Sequence, residues 1–292
     1  MGDEIEQMQP MESMRPIRPI PPVVAYLGGK RKLAPKILPF IEAVPHRCYV
    51  EPFVGMGGLF FSRRFEPKVE VVNDVNRDVA TFFRILQRHY QPFLDHLRFQ
   101  ITTRAEFERL SAVDPSTLTD IERAARFLYL QACSFGGKAA GRSFGVDRHS
   151  FSGFSLSRLE PLLEAAHERL DRVVIEALPY GDIFDRYDGE ETLFYLDPPY
   201  LGGEADYGAG VFDRSDFAVI AERLRTLRGR FVLSINDTPL VREIFEGMDF
   251  HPVTATYTVA KGETVRAPEL IVVGPPGRAW QLNGVQQSFF EE

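Results

Sequence analysis

The sequence predicts an α/β fold: a doubly wound, mostly parallel seven-stranded sheet with a helical insertion. Three observations carry this. Short apolar runs alternate with helical segments over residues 23–91 and again over 171–280. The first strand leads into a glycine turn, Gly55-Met56-Gly57-Gly58. The apolar run Thr192–Leu196 stops at Asp197-Pro198-Pro199-Tyr200. Consecutive prolines lack the N–H that a central ladder needs, so the strand ends there. A carboxylate, a stiff backbone and an aromatic ring then project past the carboxyl edge, where open α/β sheets bind ligands.

In chain order, residues 1–22 carry five prolines and no periodic apolar pattern, which predicts a disordered tail or an interaction arm. Tyr26-Leu27-Gly28-Gly29-Lys30 precedes a helix over residues 33–41. The phosphate-loop pattern fails, because Arg31 replaces the required Ser or Thr and Val24 the upstream Gly. What remains is a plain loop, or one whose N–H groups, cation and ring suit a small charged ligand. Residues 47–53 read as a strand, and 54–58 as a tight turn into a helix through Phe61 and Arg64. Gly55 and Gly57 supply half of a nucleotide fingerprint, but Phe60 stands at its third glycine, which disfavours NAD. A strand over 69–72 ends at Asn73-Asp74. Asp74 either accepts ribose hydroxyls or caps the helix Arg77–Arg88, or shares these roles with Asn76.

Residues 92–170 show helical segments (104–110, 120–130, 159–171) and no strand. Between them lies a glycine-rich basic stretch, Ser134 to Gly145, that suits nucleic-acid contact or is a mobile loop without a partner. Alternation resumes with strands at 173–177, 192–196 and 231–235. Gly181-Asp182-Ile183-Phe184 follows the first of these, and Asn236-Asp237-Thr238 the last. Helices are expected at 216–227 and 239–245, and an antiparallel closing pair at 253–258 and 270–273.

With 44% hydrophobic and 26% charged residues the chain can bury a substantial core. No apolar run reaches the roughly 18 residues of a membrane-spanning helix, and the first residues lack the pattern of a signal peptide. Glu6 occupies the usual Ser/Thr position of a myristoylation motif. Cys48 and Cys133 form neither a disulfide framework nor a metal site, which fits a reducing cytoplasm. The net charge of −7 argues against simple electrostatic binding of nucleic acid, yet it is uneven. Arg123, Arg126, Lys138, Arg142 and Arg148 face Asp147 alone, and Arg31, Lys32 and Lys36 cluster around Lys30.

The order of these motifs is more specific than any one of them. An aromatic-Gly-Gly-Lys loop, Glu51-Pro52-Phe53-Val54-Gly55-Met56-Gly57-Gly58, Asn73-Asp74-Val75-Asn76, a helical insertion and Asp197-Pro198-Pro199-Tyr200 together resemble the Dam-like DNA adenine-N6 methyltransferases. The resemblance spans Tyr26 to Val273. It implies a Rossmann-like domain over 23–91 and 171–280, a target-recognition insertion over 92–170, and tails at 1–22 and 281–292. It implies S-adenosylmethionine held by Tyr26, Lys30, Phe53, Gly55, Gly57, Asp74, Asp182 and Asp197, with Asp197, Pro198, Pro199 and Tyr200 as the catalytic set. Double-stranded DNA is the implied partner, touched by Phe135, Lys138 and Arg142, with a cognate restriction endonuclease as a further one; no metal and no membrane are expected.

The chemistry of the residues agrees. A carboxylate and a carbonyl can accept both N–H bonds of one amino group, and a tyrosine can stack on a base rotated out of the duplex. Cytosine C5 chemistry needs a cysteine after a proline, whereas Cys48 follows Arg47 and Cys133 follows Ala132. Gly55 to Asp197 spans 142 residues, against about 70–90 for three strand-helix units; the surplus is the insertion. Cys133-Ser134-Phe135-Gly136-Gly137-Lys138 departs from the usual Dam loop, so GATC recognition does not carry over. RNA or protein-glutamine methylation, and an inactive nucleic-acid-binding relative, are the alternative readings.

Overall fold

The computed structural model describes residues 14–24, 30–134, 143–145, 154–203, 212–258 and 264–277. In chain order its strands are β1 (Arg15–Pro16), β2 (Cys48–Glu51), β3 (Phe65–Glu66), β4 (Val69–Asn73), β5 (Val174–Glu176), β6 (Thr192–Leu196), β7 (Arg230–Asn236), β8 (Asp249–Thr258) and β9 (Thr264–Gly274). Its α-helices are α1 (Ala34–Glu42), α2 (Arg77–Arg88), α3 (Tyr90–Leu97), α4 (Arg104–Ala112), α5 (Asp120–Cys133), α6 (Leu156–Arg169), α7 (Tyr180–Tyr187), α8 (Arg214–Arg225) and α9 (Pro239–Ile244).

Seven strands form one sheet in the order β5-β4-β2-β6-β7-β9-β8, with β9 antiparallel to both of its neighbours and the other pairs parallel. The first strand of this sheet in the chain, β2, lies third in the order, beside the central strand β6. The chain winds outward from it to β5, then returns to β6 on its other side. The carboxyl ends of β2 and β6 therefore flank the point where winding reverses, the usual ligand crevice of such sheets.

Strand periodicity sorts side chains onto two faces. Val50, Val71, Phe194, Leu196, Phe231, Leu233 and Ile235 pack with α7, α8 and α9. Tyr49, Val72, Leu193, Tyr195 and Val232 pack with α1, α2, α5 and α6. The helical insertion shares this second core, since the Phe82 ring of α2 packs against both Phe93 and Phe127.

Three expectations are corrected. The segment after the glycine turn is a short 3-10 turn, Phe60–Ser62, not an α-helix through Arg64. Phe60 and Phe61 fill the core there, and Arg63 turns inward to Glu70. Residues 181–184, expected at the end of the strand over 173–177, lie in α7, which begins after Pro179. The tail reading fails from Met14 onward. Met14 is buried, Arg15–Pro16 pairs with Phe65–Glu66, and the Ile17 and Ile20 amides donate to the Arg64 and Phe61 carbonyls.

Glu70 is held by two buried arginines. Arg169 donates to its carboxylate at 2.6 and 2.7 Å and Arg63 at 2.5 Å; their guanidinium groups also cover the Phe60 and Tyr49 rings. Removing one member of such a cluster strands buried charge, so Glu70→Ala is expected to cost about 3–5 kcal/mol in a denaturant titration.

Candidate active site

The site is built at the carboxyl edge, on the face that carries Tyr49 and Tyr195. Continuing that parity past the buried residues places Glu51, Asp197, Ser234 and Glu269 on the same face. Asp197 begins where β6 ends, and Pro198 and Pro199 are buried behind it. Its carboxylate takes an ion pair from Lys30 Nζ at 2.8 Å and a hydrogen bond from Ser234 Oγ at 3.3 Å. Ser234 is itself bonded to the Tyr195 hydroxyl at 2.8 Å. Burial raises the Asp197 pKa, and Lys30 and Ser234 pull against that shift. Lys30 is 3% exposed. Its ammonium lies 4.2 Å from the centroid of the Tyr200 ring, whose hydroxyl donates to Glu269.

Next to this group is a cavity of about 390 Å³, within the usual range for small-molecule sites. Phe53, Asp74, Val75, Asn76, Pro179, Tyr180, Gly181, Pro199, Phe212, Asp216 and Val219 line it. Pro199 is the wall it shares with the Asp197 turn. Phe53 packs with Tyr180 at 5.6 Å and with Phe212 at 6.2 Å, so one part of the cavity is aromatic. Asp74 and Asp216 are its acids, and Asp216 accepts the Tyr180 hydroxyl at 2.6 Å. Asp74 is half-buried just past the end of β4. It accepts from the Gly55 amide at 3.0 Å and the Asn76 amide at 2.9 Å, and burial pushes its pKa up to about 6.

The N-cap reading of Asp74 does not hold. Asn76, not Asp74, is the N-cap of α2, since its side chain accepts from the Asp78 amide at 3.0 Å. Asp74 instead ties the glycine turn to the end of β4. In that turn Gly55 and Gly57 have φ of 51° and 70°, where a side chain is strained. A Cβ on Gly57 would also meet the Phe61 ring at 2.7 Å.

Of the residues expected from sequence, Lys30, Asp197, Pro198 and Tyr200 come together, and Phe53, Asp74 and Pro199 line the adjoining cavity. Asp182 is exposed on the first turn of α7, one residue from the lining Gly181. Tyr26, Phe135, Lys138 and Arg142 lie outside the described residues. The ends of the segment holding the last three are described: Ser134 bridges Phe144, and the Gly145 amide donates to the Cys133 carbonyl at 2.9 Å.

Sequence reading missed Tyr180, Phe212, Ser234, Asn236, Glu269 and the role of Asn73. Asn73 bonds the Pro52 and Leu178 carbonyls and the Leu178 amide, joining the ends of β2, β4 and the segment after β5. Strand parity marks Ser234 and Glu269 once the register is known. Phe212 belongs to no pattern in the sequence.

The D12 class N6 adenine-specific DNA methyltransferase family matches residues 26–259, most of the chain. The chain belongs to this family. It is similar to a Type II methyltransferase, M.CviBI, of Paramecium bursaria Chlorella virus NC1A, with 24% identity over 77% of this chain and 86% of the relative. A Type II methyltransferase of Lactococcus lactis subsp. cremoris, M1.LlaDCHI, is 25% identical over 80% of this chain and 87% of its own. A DNA adenine methylase of Vibrio cholerae serotype O1 is 27% identical over 86% and 95% respectively. The chain is thus an adenine-specific DNA methyltransferase on a seven-stranded α/β fold. Among the described residues no helix is long and apolar enough to cross a membrane.

Glu51 adds a pH-dependent element. It is 1% exposed, accepts the Tyr49 hydroxyl at 2.7 Å, and is pushed up to about 8 by burial, with Asp197 adding to the shift. Unfolded, it ionises near 4.5. Its contribution to stability is therefore complete below about 4.5 and is lost as the pH rises through about 8. Relative to wild type, Glu51→Gln is expected to gain melting temperature between about pH 5 and about pH 9.

Proposed function

We propose that this methyltransferase uses S-adenosylmethionine, bound in the cavity beside Pro199, to methylate adenine N6 in a base rotated out of double-stranded DNA. The observation that carries this is the Asp197-Pro198-Pro199-Tyr200 turn, with its carboxylate against Lys30 and its third residue forming the cavity wall. The cavity fits the cofactor by chemistry. Phe53, Tyr180 and Phe212 offer aromatic surface for an adenine ring, and Asp74 offers a carboxylate to two ribose hydroxyls. The glycine turn and Lys30 complete the cofactor side, with Tyr26 and Asp182 as further contacts. Bound there, the cofactor would supply the methyl group of its sulfonium, the S–C bond breaking to leave S-adenosylhomocysteine.

Asp197 and the Pro198 carbonyl accept the two hydrogens of the adenine amino group. That arrangement favours a pyramidal nitrogen and frees its lone pair from the ring, directing it toward the cavity. Alignment of the reacting atoms is itself a large part of such an acceleration. When the N–C bond has formed the nitrogen carries a surplus proton, and Asp197 is the acceptor beside it. Tyr200 supplies the surface on which the extruded base stacks.

We assign target recognition to the helical insertion, with Phe135, Lys138 and Arg142 at the DNA, because their segment springs from the closed Ser134/Phe144 pair. The Type II names of two relatives fit service beside a restriction endonuclease, and the DNA adenine methylase relative fits a solitary role; mapping the modified sites separates the two. Two distant free cysteines fit a reducing cytoplasm.

Incubation with labelled S-adenosylmethionine and unmethylated genomic DNA, followed by nucleoside analysis, tests the reading. Wild type is expected to produce N6-methyladenine, and Asp197→Ala to lose at least about 100-fold in rate. Label in RNA or protein alone would contradict it. Cofactor affinity should weaken as the pH falls through about 6, because the ionised form of Asp74 accepts the ribose hydroxyls. Asp74→Asn should flatten that dependence in a calorimetric titration.

A further inference from the structure

Glu269 lies on β9, outside every motif read from the sequence, and is 1% exposed. The register of β7 and β9 sets it opposite Asn236. Two neighbouring strands thus reach the turn that follows β6. Asn236 Oδ1 accepts the Leu201 amide at 3.0 Å and its Nδ2 donates to the Leu201 carbonyl at 3.1 Å. Glu269 accepts the hydroxyl of the preceding residue, Tyr200.

The contacts then close on themselves. The Tyr200 ring carries the Lys30 ammonium on its face at 4.2 Å, and that ammonium sits 2.8 Å from Asp197. A tyrosine has two rotatable side-chain bonds, and a fixed hydroxyl at its far end removes both freedoms.

We propose that Glu269 is a positioning residue for methyl transfer. Its carboxylate sets the Tyr200 ring, and through that ring the Lys30 ammonium and the Asp197 oxygen that the ammonium holds. This rests on the assignment of Asp197 and Tyr200 made above. Glu269 touches neither base nor cofactor in this account; it acts through the ring.

The test is single-turnover methylation of a duplex carrying the mapped site, for wild type, Glu269→Ala, Glu269→Gln, Tyr200→Phe and the double variant Tyr200→Phe/Glu269→Ala. Cofactor affinity and melting temperature are measured on each. Glu269→Ala is expected to lose about 10–100-fold in single-turnover rate at saturating cofactor, the scale of a 1 Å misplacement. Glu269→Gln keeps an acceptor oxygen and is expected to stay within about threefold of wild type. The double variant should be no slower than Tyr200→Phe alone, because the pair acts as a unit. A duplex with 2-aminopurine at the target should fluoresce more strongly with Glu269→Ala than with wild type, as stacking on the ring is lost.

A wild-type rate in Glu269→Ala would overturn the proposal. So would losses that multiply in the double variant, which would mark Glu269 as a residue of sheet stability only. Should Glu269→Ala fail to fold, Tyr200→Phe removes the same hydrogen bond from the ring side, and a wild-type single-turnover rate in it would overturn the proposal. Asp197→Ala is assayed alongside. If it is inactive while Glu269→Ala is normal, the positioning role alone fails; if it still methylates, the underlying assignment fails and takes the proposal with it.

Discussion

The ion pair between Lys30 and Asp197 links the parts of this molecule that do its chemistry. Lys30 comes from a 3-10 turn ahead of α1, Asp197 from the end of a central strand, and both are drawn into one low-polarity corner. Removing an ammonium from water costs several kcal/mol unless a counter-charge meets it. The lysine is 3% exposed, so its position depends on Asp197 and on the Tyr200 ring beneath it. The same corner holds two further acids, Glu51 and Glu269. With Glu51 kept protonated up to about 8, fewer negative charges crowd the lysine at neutral pH.

The sheet delivers these groups by parity. Tyr49 and Glu51 are two residues apart on β2, Tyr195 and Asp197 two apart at the end of β6, and Val232 and Ser234 two apart on β7. Each apolar or aromatic residue of the buried strand body is followed, on the same face, by a polar one at the carboxyl edge. The opposite face stays apolar against α7, α8 and α9. A slip of one residue in any strand would turn its polar group into that apolar core. The methyl-transfer corner and the fold are therefore specified by the same registers.

Much of this was legible in the sequence because its signals are local. The run Thr192–Leu196 is closed by Asp197 and two prolines and is a strand over those same residues; the helix Arg77–Arg88 is likewise found as expected. Asp74, Phe53 and the Asp197 turn were marked by their place at strand ends. What stayed hidden depends on partners distant in the chain. Glu269 meets Tyr200 only through the antiparallel register of β9, and Phe212 reaches the cavity only because α8 docks beside α7. The turn after Gly57 looked helical because Phe60 and Phe61 are good core residues, yet the inward pull of Arg63 toward Glu70 ends it after three residues. Proline content marked residues 1–22 as a tail, but from Met14 onward buried Met14, the pairing of Arg15–Pro16 with Phe65–Glu66 and the packing of Ile20 hold the stretch against the fold.

The most direct measurement of the central claim is a crystal structure of the full chain with S-adenosylhomocysteine and a duplex carrying its target adenine. The expected result places the extruded adenine on Tyr200, its amino nitrogen within hydrogen-bonding distance of the Asp197 carboxylate and the Pro198 carbonyl. The cofactor product should lie between Phe53 and Phe212, with its ribose on Asp74. An adenine held elsewhere, or a cofactor outside the cavity beside Pro199, would contradict the account.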